Sequence, residues 1–477
     1  MVVGELAQER ELVIIGGGPG GYTAAIRAAQ LGKEVTLVEK GDLGGVCLNQ
    51  GCIPSKVLAH VSAKYGELSK MGGLGISMSH VSFDLSQTAE YKNQVTANLR
   101  KGVEALCRQH KVELIRGKAS FLSDDRIGVE NGDDFQVYSF KAAIIAAGTS
   151  PVSHPAAAVD PPYILDSRSL YSLESLPEHL ILYGNDYTAI EAAFSYRSLG
   201  SEVTLVHEHG FSGLDASIEK ELIRVMKKTK IKWKQGMELK QALKQEGTLK
   251  AVFKADDGTE LEIEGTHLYL QTEFQGNSEE LGLNRLGIKT DSRGFVEIDR
   301  ECRTSRSHIW AIGDITGGIQ LAVKAISQGK AAAASIAGLP AEWNDGFIPM
   351  VIRSQPPIAC AGLTEEEAKA GGHKVKTGMF SFAGNGFASL SGQKDGIAKV
   401  VSDAENEVIL GVHLIGNGAA ELISTGITSL EMAAREEDLS FPLYPHPSMN
   451  EGLLEAVEDL AGLAIHKPPS KELARQR

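Results

Sequence analysis

An α/β fold containing two parallel strand–helix–strand units is predicted by three observations. Glu11 to Ile15 is a short apolar, β-branched run that leads straight into a glycine-rich turn and an alanine-rich helical stretch. The same order returns at His179–Tyr183, Thr188–Leu199 and Glu202–Val206. At 477 residues, the chain is also too long for a single core.

The first unit is the more complete. Its opening strand has the continuous apolar character of a buried parallel strand. Gly16, Gly18 and Gly21 then form G-x-G-x-x-G, a helix spans Tyr22 to Leu31, Gly32 stops it, and a second strand ends at Glu39. In this pattern the first glycine permits a tight turn and the second lets a pyrophosphate approach bare backbone. The third lets helix and strand pack closely. The helix N-terminus offers amide donors to phosphate, and the acidic residue ending the second strand takes a ribose hydroxyl. A glycine-rich turn used for packing alone would not need the strand, the helix and Glu39 together.

Cys47 and Cys52 follow, four residues between them, in the run Gly44 to Lys56. Pro54 suits a helix start, which places Cys52 in a first helical turn, where the dipole acidifies a thiol. Cys47, in the loop before, is placed to close a small ring with it. Lys56 adds positive charge one turn on. A metal half-site and a pair of inert buried thiols are the alternatives. No second Cys/His pair with zinc spacing accompanies the two cysteines, so no metal site is expected. The upstream dinucleotide signal favours a redox pair. Cys107, Cys302 and Cys360 stand alone and are expected in cores.

Composition excludes several classes. The net charge of −13 argues against nucleic acid. The basic run Lys227–Lys234 is expected to be a solvated helix end leading into a strand. No apolar window is long enough for a membrane helix, and Met1 to Glu11 lacks the apolar stretch of a signal peptide. Five cysteines do not make a disulfide scaffold, so a reducing, cytoplasmic location is expected. Pro155 to Pro162 is the expected inter-domain crossing, and the tail from His466 is expected to fray.

The run Gly44–Lys56 resembles the active-site signature of the class I pyridine nucleotide–disulfide oxidoreductases, and within them the dihydrolipoamide dehydrogenase branch. Ala143–Pro151 is similar to the strand and turn that close the FAD site in that family. Ile309–Asp314 followed by Leu321-Ala322 is similar to its second flavin motif, and Ile348 to Ala368 to the opening of its interface domain. The resemblance covers nearly the whole chain. It implies an α/β protein with FAD- and NAD-type Rossmann domains plus a C-terminal α+β dimerisation domain, assembled as a homodimer. The implied bounds are 1–152 and 275–347 for the FAD domain, 153–274 for the NAD-type domain and 348–477 for the interface domain.

Site roles follow from the resemblance in the same way. Gly16, Gly18, Gly21, Glu39, Lys56, Gly148, Asp314 and Ala322 would surround FAD, with Asp314 on its ribityl chain. Glu191 would pair with Lys56, and Tyr187 would cover the flavin's nicotinamide side. His446 and Glu451, in Pro445-His-Pro-Ser-Met-Asn-Glu451, would form an acid–base pair reaching the partner's disulfide. His446 would deprotonate the substrate thiol, and Glu451 would orient the imidazole. By spacing alone, they would be a turn histidine and a helix N-terminal glutamate.

The second unit breaks the pattern. In Gly184-Asn185-Asp186-Tyr187-Thr188-Ala189 only the first glycine remains. Ala189 in the third place is mild. Asp186 in the second puts a side chain and a negative charge where a pyrophosphate would lie. His207 stands where an acidic residue would bind the adenosine ribose, and Glu208 beside it would need a register shift. Glu273 and Phe274 replace the leading Gly-Arg of the family's Gly-Arg-x-Pro-Asn segment. NAD(P) use is therefore expected to be weakened or lost.

The expected activity is oxidation of a lipoamide-like dithiol, free or on a carrier protein, through Cys47–Cys52 and FAD. The acceptor is left open, with a non-nicotinamide electron partner as one candidate. A conventional NAD-linked dihydrolipoyl dehydrogenase and a FAD-holding, non-catalytic assembly subunit are the alternatives.

Overall fold

The computed structural model describes residues 7–68, 71–245 and 248–468. Strand β1 (Gln8–Ile15) lies between β2 (Val35–Glu39) and Asp134–Ile145, parallel to both. Leu12 to Ile15 are buried, as a central strand covered on both faces requires. β3 (Glu113–Arg116) extends one edge of this sheet, and an antiparallel meander the other. Ile309–Ala311 pairs in parallel with Asp134–Ile145, so the chain leaves this sheet and later returns to it.

Helix α1 (Pro19–Gln30) starts three residues earlier than the sequence suggests. Proline is favoured in a first turn, so Pro19 belongs to the helix rather than to the loop. Helix Ala322–Ile336 packs against α1. The contact is tight: a Cβ at Gly329 would lie 2.7 Å from the Gly20 carbonyl oxygen.

Two further helices follow β2: α2 (Gly45–Asn49) and α3 (Cys52–Leu68), with the long α4 (Leu85–Gln109) beyond. Cys47 thus sits within a short helical turn rather than a loop. Cys52 opens α3, as expected.

The second sheet is parallel throughout. Its order is Lys232–Gln235, Glu202–His207, His179–Tyr183, His267–Leu270, Ile164–Leu165. Helix α5 (Tyr187–Leu199) follows His179–Tyr183 and is buried over most of its length, with Ile190, Ala192, Ala193, Phe194 and Tyr196 all inside. It packs on α3, the helix that carries Cys52. The basic run behaves as expected: Lys227 and Lys228 end α6 (Ala216–Lys228), and Lys232 and Lys234 lie on the sheet's edge strand. Lysines on an exposed edge discourage pairing with other chains.

The last third is an antiparallel sheet in the order Met350–Ile352, Ile358–Gly362, Ile409–Ile415, Ile397–Asp403, Val375–Ser381. Helices Ala419–Glu431 and Asn450–Leu460 pack on it. A buried ion cluster ties it to the second unit: the Lys399 ammonium lies 2.9 Å from Asp215 and 2.7 Å from Glu365.

His466 is not frayed. Its backbone amide and Nδ1 both bond to the buried Glu455, at 3.1 and 2.5 Å. The opening six residues and the tail from 469 lie outside the described residues. Among the described residues, no helix is long and apolar enough to cross a membrane, and no group of three or more acidic, His or Cys side chains could hold a metal.

Candidate active site

Two helix N-termini define this site by their contrast. α1 is preceded by Gly18, which has no side chain to cap it, so the helix end carries no side-chain cap. A Cβ added at Gly18 would find only the Gly45 Cα, at 3.9 Å, whereas one at Gly45 would lie 2.8 Å from the Gly18 Cα. The Gly45 backbone packs directly on Gly18, and the space in front of Gly18 is otherwise open. Glu39 stands at the end of β2 with its carboxylate fixed by the Gly17 amide at 2.6 Å and the Gly41 amide at 2.7 Å. Gly21 fits its packing role, since a Cβ there would overlap the Gly16 carbonyl.

The other residues expected at FAD come from three further segments. Gly148 takes φ +68° in a turn held by Asn277, whose Nδ2 donates to the Ala147 carbonyl at 2.8 Å. Asp314 follows Ile309–Ala311 in a helical turn, and no described residue donates to its carboxylate. Burial raises its pKa, opposed by Lys324 and Arg168. Ala322 opens its helix, again with no side-chain cap. Bare backbone, uncapped amides, a strand-end carboxylate and an open Asp acceptor form a donor and acceptor set that fits FAD.

Cys47 and Cys52 are joined as a disulfide. Lys56, one turn along α3, donates to both Glu191 carboxylate oxygens, at 2.9 and 3.0 Å. Glu191 is 2% exposed and also accepts from the Arg353 amide at 2.8 Å, so the buried charge is fully engaged. Tyr187 lies near the Lys56 ammonium, 5.9 Å from ring centre to nitrogen. The ion pair therefore staples the sulfur-bearing helix to α5.

The His446 Nδ1 meets Glu451 at 2.7 Å, and the other Glu451 oxygen accepts from the Ser448 amide at 2.8 Å. Burial raises the Glu451 pKa, but the His446 ring and that amide outweigh it and leave it lowered. The His446 side chain is 81% exposed, so its free nitrogen is open to a group from outside the chain.

The second cradle is filled from within. Asp186 caps α5, accepting from the Ala189 amide at 2.8 Å, and takes the Tyr269 hydroxyl at 3.2 Å. Its carboxylate is thus turned onto the helix end, rather than standing free in the crevice as the sequence suggests. Burial pushes its pKa up to about 6, against the pull of these two donors. Gln271 accepts from the Asn185 amide at 2.6 Å. It also packs on Gly184, where a Cβ would lie 2.5 Å from its oxygen.

His207 is buried, not presented to a ribose. Trp233 donates to its Nε2 at 2.6 Å, and its Nδ1 meets the His209 carbonyl. Glu208 accepts from the Tyr183 hydroxyl, and Glu273 is exposed. Sequence reasoning missed Gln271, Tyr269 and Trp233. Gln271 was the most findable, being a polar residue at the end of a buried strand.

Comparison with known proteins decides the family. The profile described as pyridine nucleotide-disulphide oxidoreductase matches residues 10–329, and that of its dimerisation domain matches residues 348–457. The chain belongs to the pyridine nucleotide-disulphide oxidoreductases. This oxidoreductase is 39% identical over 472 residues to a dihydrolipoyl dehydrogenase of Geobacillus stearothermophilus, covering 98% of this chain and 99% of the relative. It is 37% identical to one from Staphylococcus aureus, with 98% and 100% covered. The crystal structure of LpdA from Mycobacterium tuberculosis matches with a TM-score of 0.88 at 26% identity, over 94% of this chain and 99% of that one. The HOCl-induced flavoprotein disulfide reductase RclA of Escherichia coli shares the fold, with a TM-score of 0.83 at 23% identity, over 94% of this chain and 99% of that one. The oxidoreductase is thus a FAD-dependent disulfide enzyme carrying a dimerisation domain.

Proposed function

We propose that this enzyme oxidises a lipoamide-like dithiol and passes the electrons to a partner other than NAD(P). The observation that carries this is the contrast between the two cradles. The helix end expected to hold FAD is bare, while the one expected to hold a nicotinamide dinucleotide is capped by Asp186 and plugged by Gln271. A pyrophosphate at the second site would have to displace a capping carboxylate and lie beside its charge. Such repulsion reaches several kcal/mol in a desolvated site.

In the proposed cycle, two copies of the chain associate through the dimerisation domain. His446 of one removes the proton from a substrate thiol, and Glu451 holds the ring in place. The thiolate attacks Cys47, the Cys47–Cys52 bond opens, and the Cys52 sulfur leaves. The second substrate thiol then attacks the first substrate sulfur, closing the substrate disulfide and expelling Cys47, which leaves a Cys47/Cys52 dithiol. Lys56 stabilises negative charge on Cys52, and Glu191 keeps Lys56 aimed. FAD, when bound, supplies the two-electron chemistry that drains this dithiol.

An ordinary NAD-linked dihydrolipoyl dehydrogenase is the second reading, favoured by full-length similarity to enzymes of that name. Anaerobic stopped-flow of the holoenzyme separates the two. Rapid loss of oxidised-flavin absorbance with dihydrolipoamide, and none with NADH, is expected. Fast flavin reduction by micromolar NADH would establish the second reading instead. Silence toward both would leave the FAD-holding, non-catalytic alternative.

A further inference from the structure

Helix Ala322–Ile336 buries two polar side chains that the disulfide chemistry does not use. Lys324 is 3% exposed, and Gln328, one turn further along the same face, is fully buried. Both turn onto one short segment, the helical turn Gly313–Thr316 that carries Asp314. The Lys324 ammonium donates to the Gly313 carbonyl at 3.4 Å and also to the Gly317 carbonyl. Gln328 accepts from the Gly313 amide at 2.7 Å, and its Nε2 donates to the Thr316 hydroxyl at 3.3 Å. That hydroxyl donates in turn to the Gly313 carbonyl at 2.8 Å. Two side chains thus grip both ends of the turn. Between them the Asp314 carboxylate keeps part of its surface exposed and receives no hydrogen bond from described residues.

Taking an ammonium out of water costs free energy, and apolar side chains would pack a helix on a turn without that penalty. Among the described residues, backbone carbonyls are the only hydrogen-bond acceptors of the Lys324 ammonium. What the arrangement gains is fixed geometry, because a satisfied buried network holds one conformation. Gly313 and Gly317 have positive φ, +77° and +70°, so the backbone bends at each end of the turn, and the two side chains bond at those bends. The gripping helix is itself anchored. It packs on α1, with Gly329 against Gly20, and its own first turn carries no side-chain cap. The bare end of α1, the uncapped start of the second helix and the open Asp314 carboxylate are therefore held as one rigid set.

We propose that Lys324 and Gln328 are positioning residues for FAD: acting through the Gly313–Gly317 turn, they hold the Asp314 carboxylate where the cofactor meets it. This role requires FAD to lie against Asp314 and is the same whichever electron acceptor the enzyme uses.

The test compares holoenzymes. Lys324→Met keeps the length of the side chain without its donors, and Gln328→Leu removes the contacts on the other side of the turn. Asp314→Ala removes the carboxylate, and each of the first two is also combined with it. The rate of FAD release on dilution is followed by flavin fluorescence. Losing a buried hydrogen-bond partner should make each single variant release FAD roughly tenfold faster. The combinations read the positioning role: with the carboxylate gone there is nothing left to aim, so Lys324→Met or Gln328→Leu should add less than roughly twofold to Asp314→Ala. Side chains that merely supported the fold would multiply their full effect onto that of Asp314→Ala, which would overturn the proposal. Wild-type release from both Lys324→Met and Gln328→Leu would overturn it, as would wild-type release from Asp314→Ala. Gln328→Leu carries the comparison by itself if Lys324→Met does not fold. None of these readings involves NADH or the dithiol, so their failure would leave the electron route standing.

Discussion

Replacing Asp186 by asparagine should remove a pH dependence of stability. Asp186 titrates at about 6 in the fold against an ordinary 3.8, because burial outweighs the Ala189 amide and the Tyr269 hydroxyl. A gap of about 2.2 pH units at 1.36 kcal/mol each corresponds to ~3 kcal/mol. The folded value is the higher one. The favourable contribution is therefore complete below about pH 3.8 and is lost as the pH rises through about 6. Roughly half has gone by pH 5, which leaves ~1.4 kcal/mol to disappear between pH 5 and 8. Asparagine caps a helix as well as aspartate and carries no charge. Asp186→Asn should therefore gain ~1.4 kcal/mol on wild type between pH 5 and 8. Urea unfolding followed by tryptophan fluorescence at several pH values measures this difference. His207, whose burial lowers its pKa, is common to both proteins and cancels. Parallel profiles for the two proteins would refute the linkage between Asp186 burial and stability.

Four further outcomes are expected. Gly18→Ala should fold, since its Cβ would meet nothing closer than the Gly45 Cα at 3.9 Å, yet purify with less flavin; a variant as FAD-loaded as wild type would count against the first cradle. Lys56→Met should leave the buried Glu191 charge without its cation and cost ~3 kcal/mol, read as a lowered unfolding midpoint. His446→Gln should slow dithiol oxidation by ~10²–10⁴-fold with flavin content unchanged, as loss of a general base does. The pair Asp186→Gly and Gln271→Ala should free the Ala189 and Asn185 amides and speed flavin reduction by NADH at least tenfold in stopped-flow; no gain would mean that the capped helix end is not what limits NADH.

The first unit was readable because its signals are local. Gly16, Gly18, Gly21 and Glu39 fall within one strand–turn–helix–strand, where spacing determines geometry. Cys52 at the head of a helix was legible for the same reason. The Lys56–Glu191 contact spans 135 positions and came from resemblance, since no periodicity links residues so far apart. Asp186 was seen but misjudged. Aspartate followed by a helical run is a capping signal, and its carboxylate turns to the Ala189 amide instead of standing in the crevice. His207 does end its strand, but its ring turns into the sheet's own packing, where Trp233 on the adjacent strand donates to it. Gln271 acts on a turn in another segment, and only the fold reveals its partner.

One helix carries two duties at close quarters. Asp186 closes the leading end of α5, and five residues later Glu191 grips the lysine beside the sulfurs, an axial span of ~8 Å at 1.5 Å per residue. A partner that prised the leading end open would be pushing on a short rigid rod whose far attachment steadies the reacting thiol. Whatever docks on that side therefore has mechanical leverage over the chemistry without touching it.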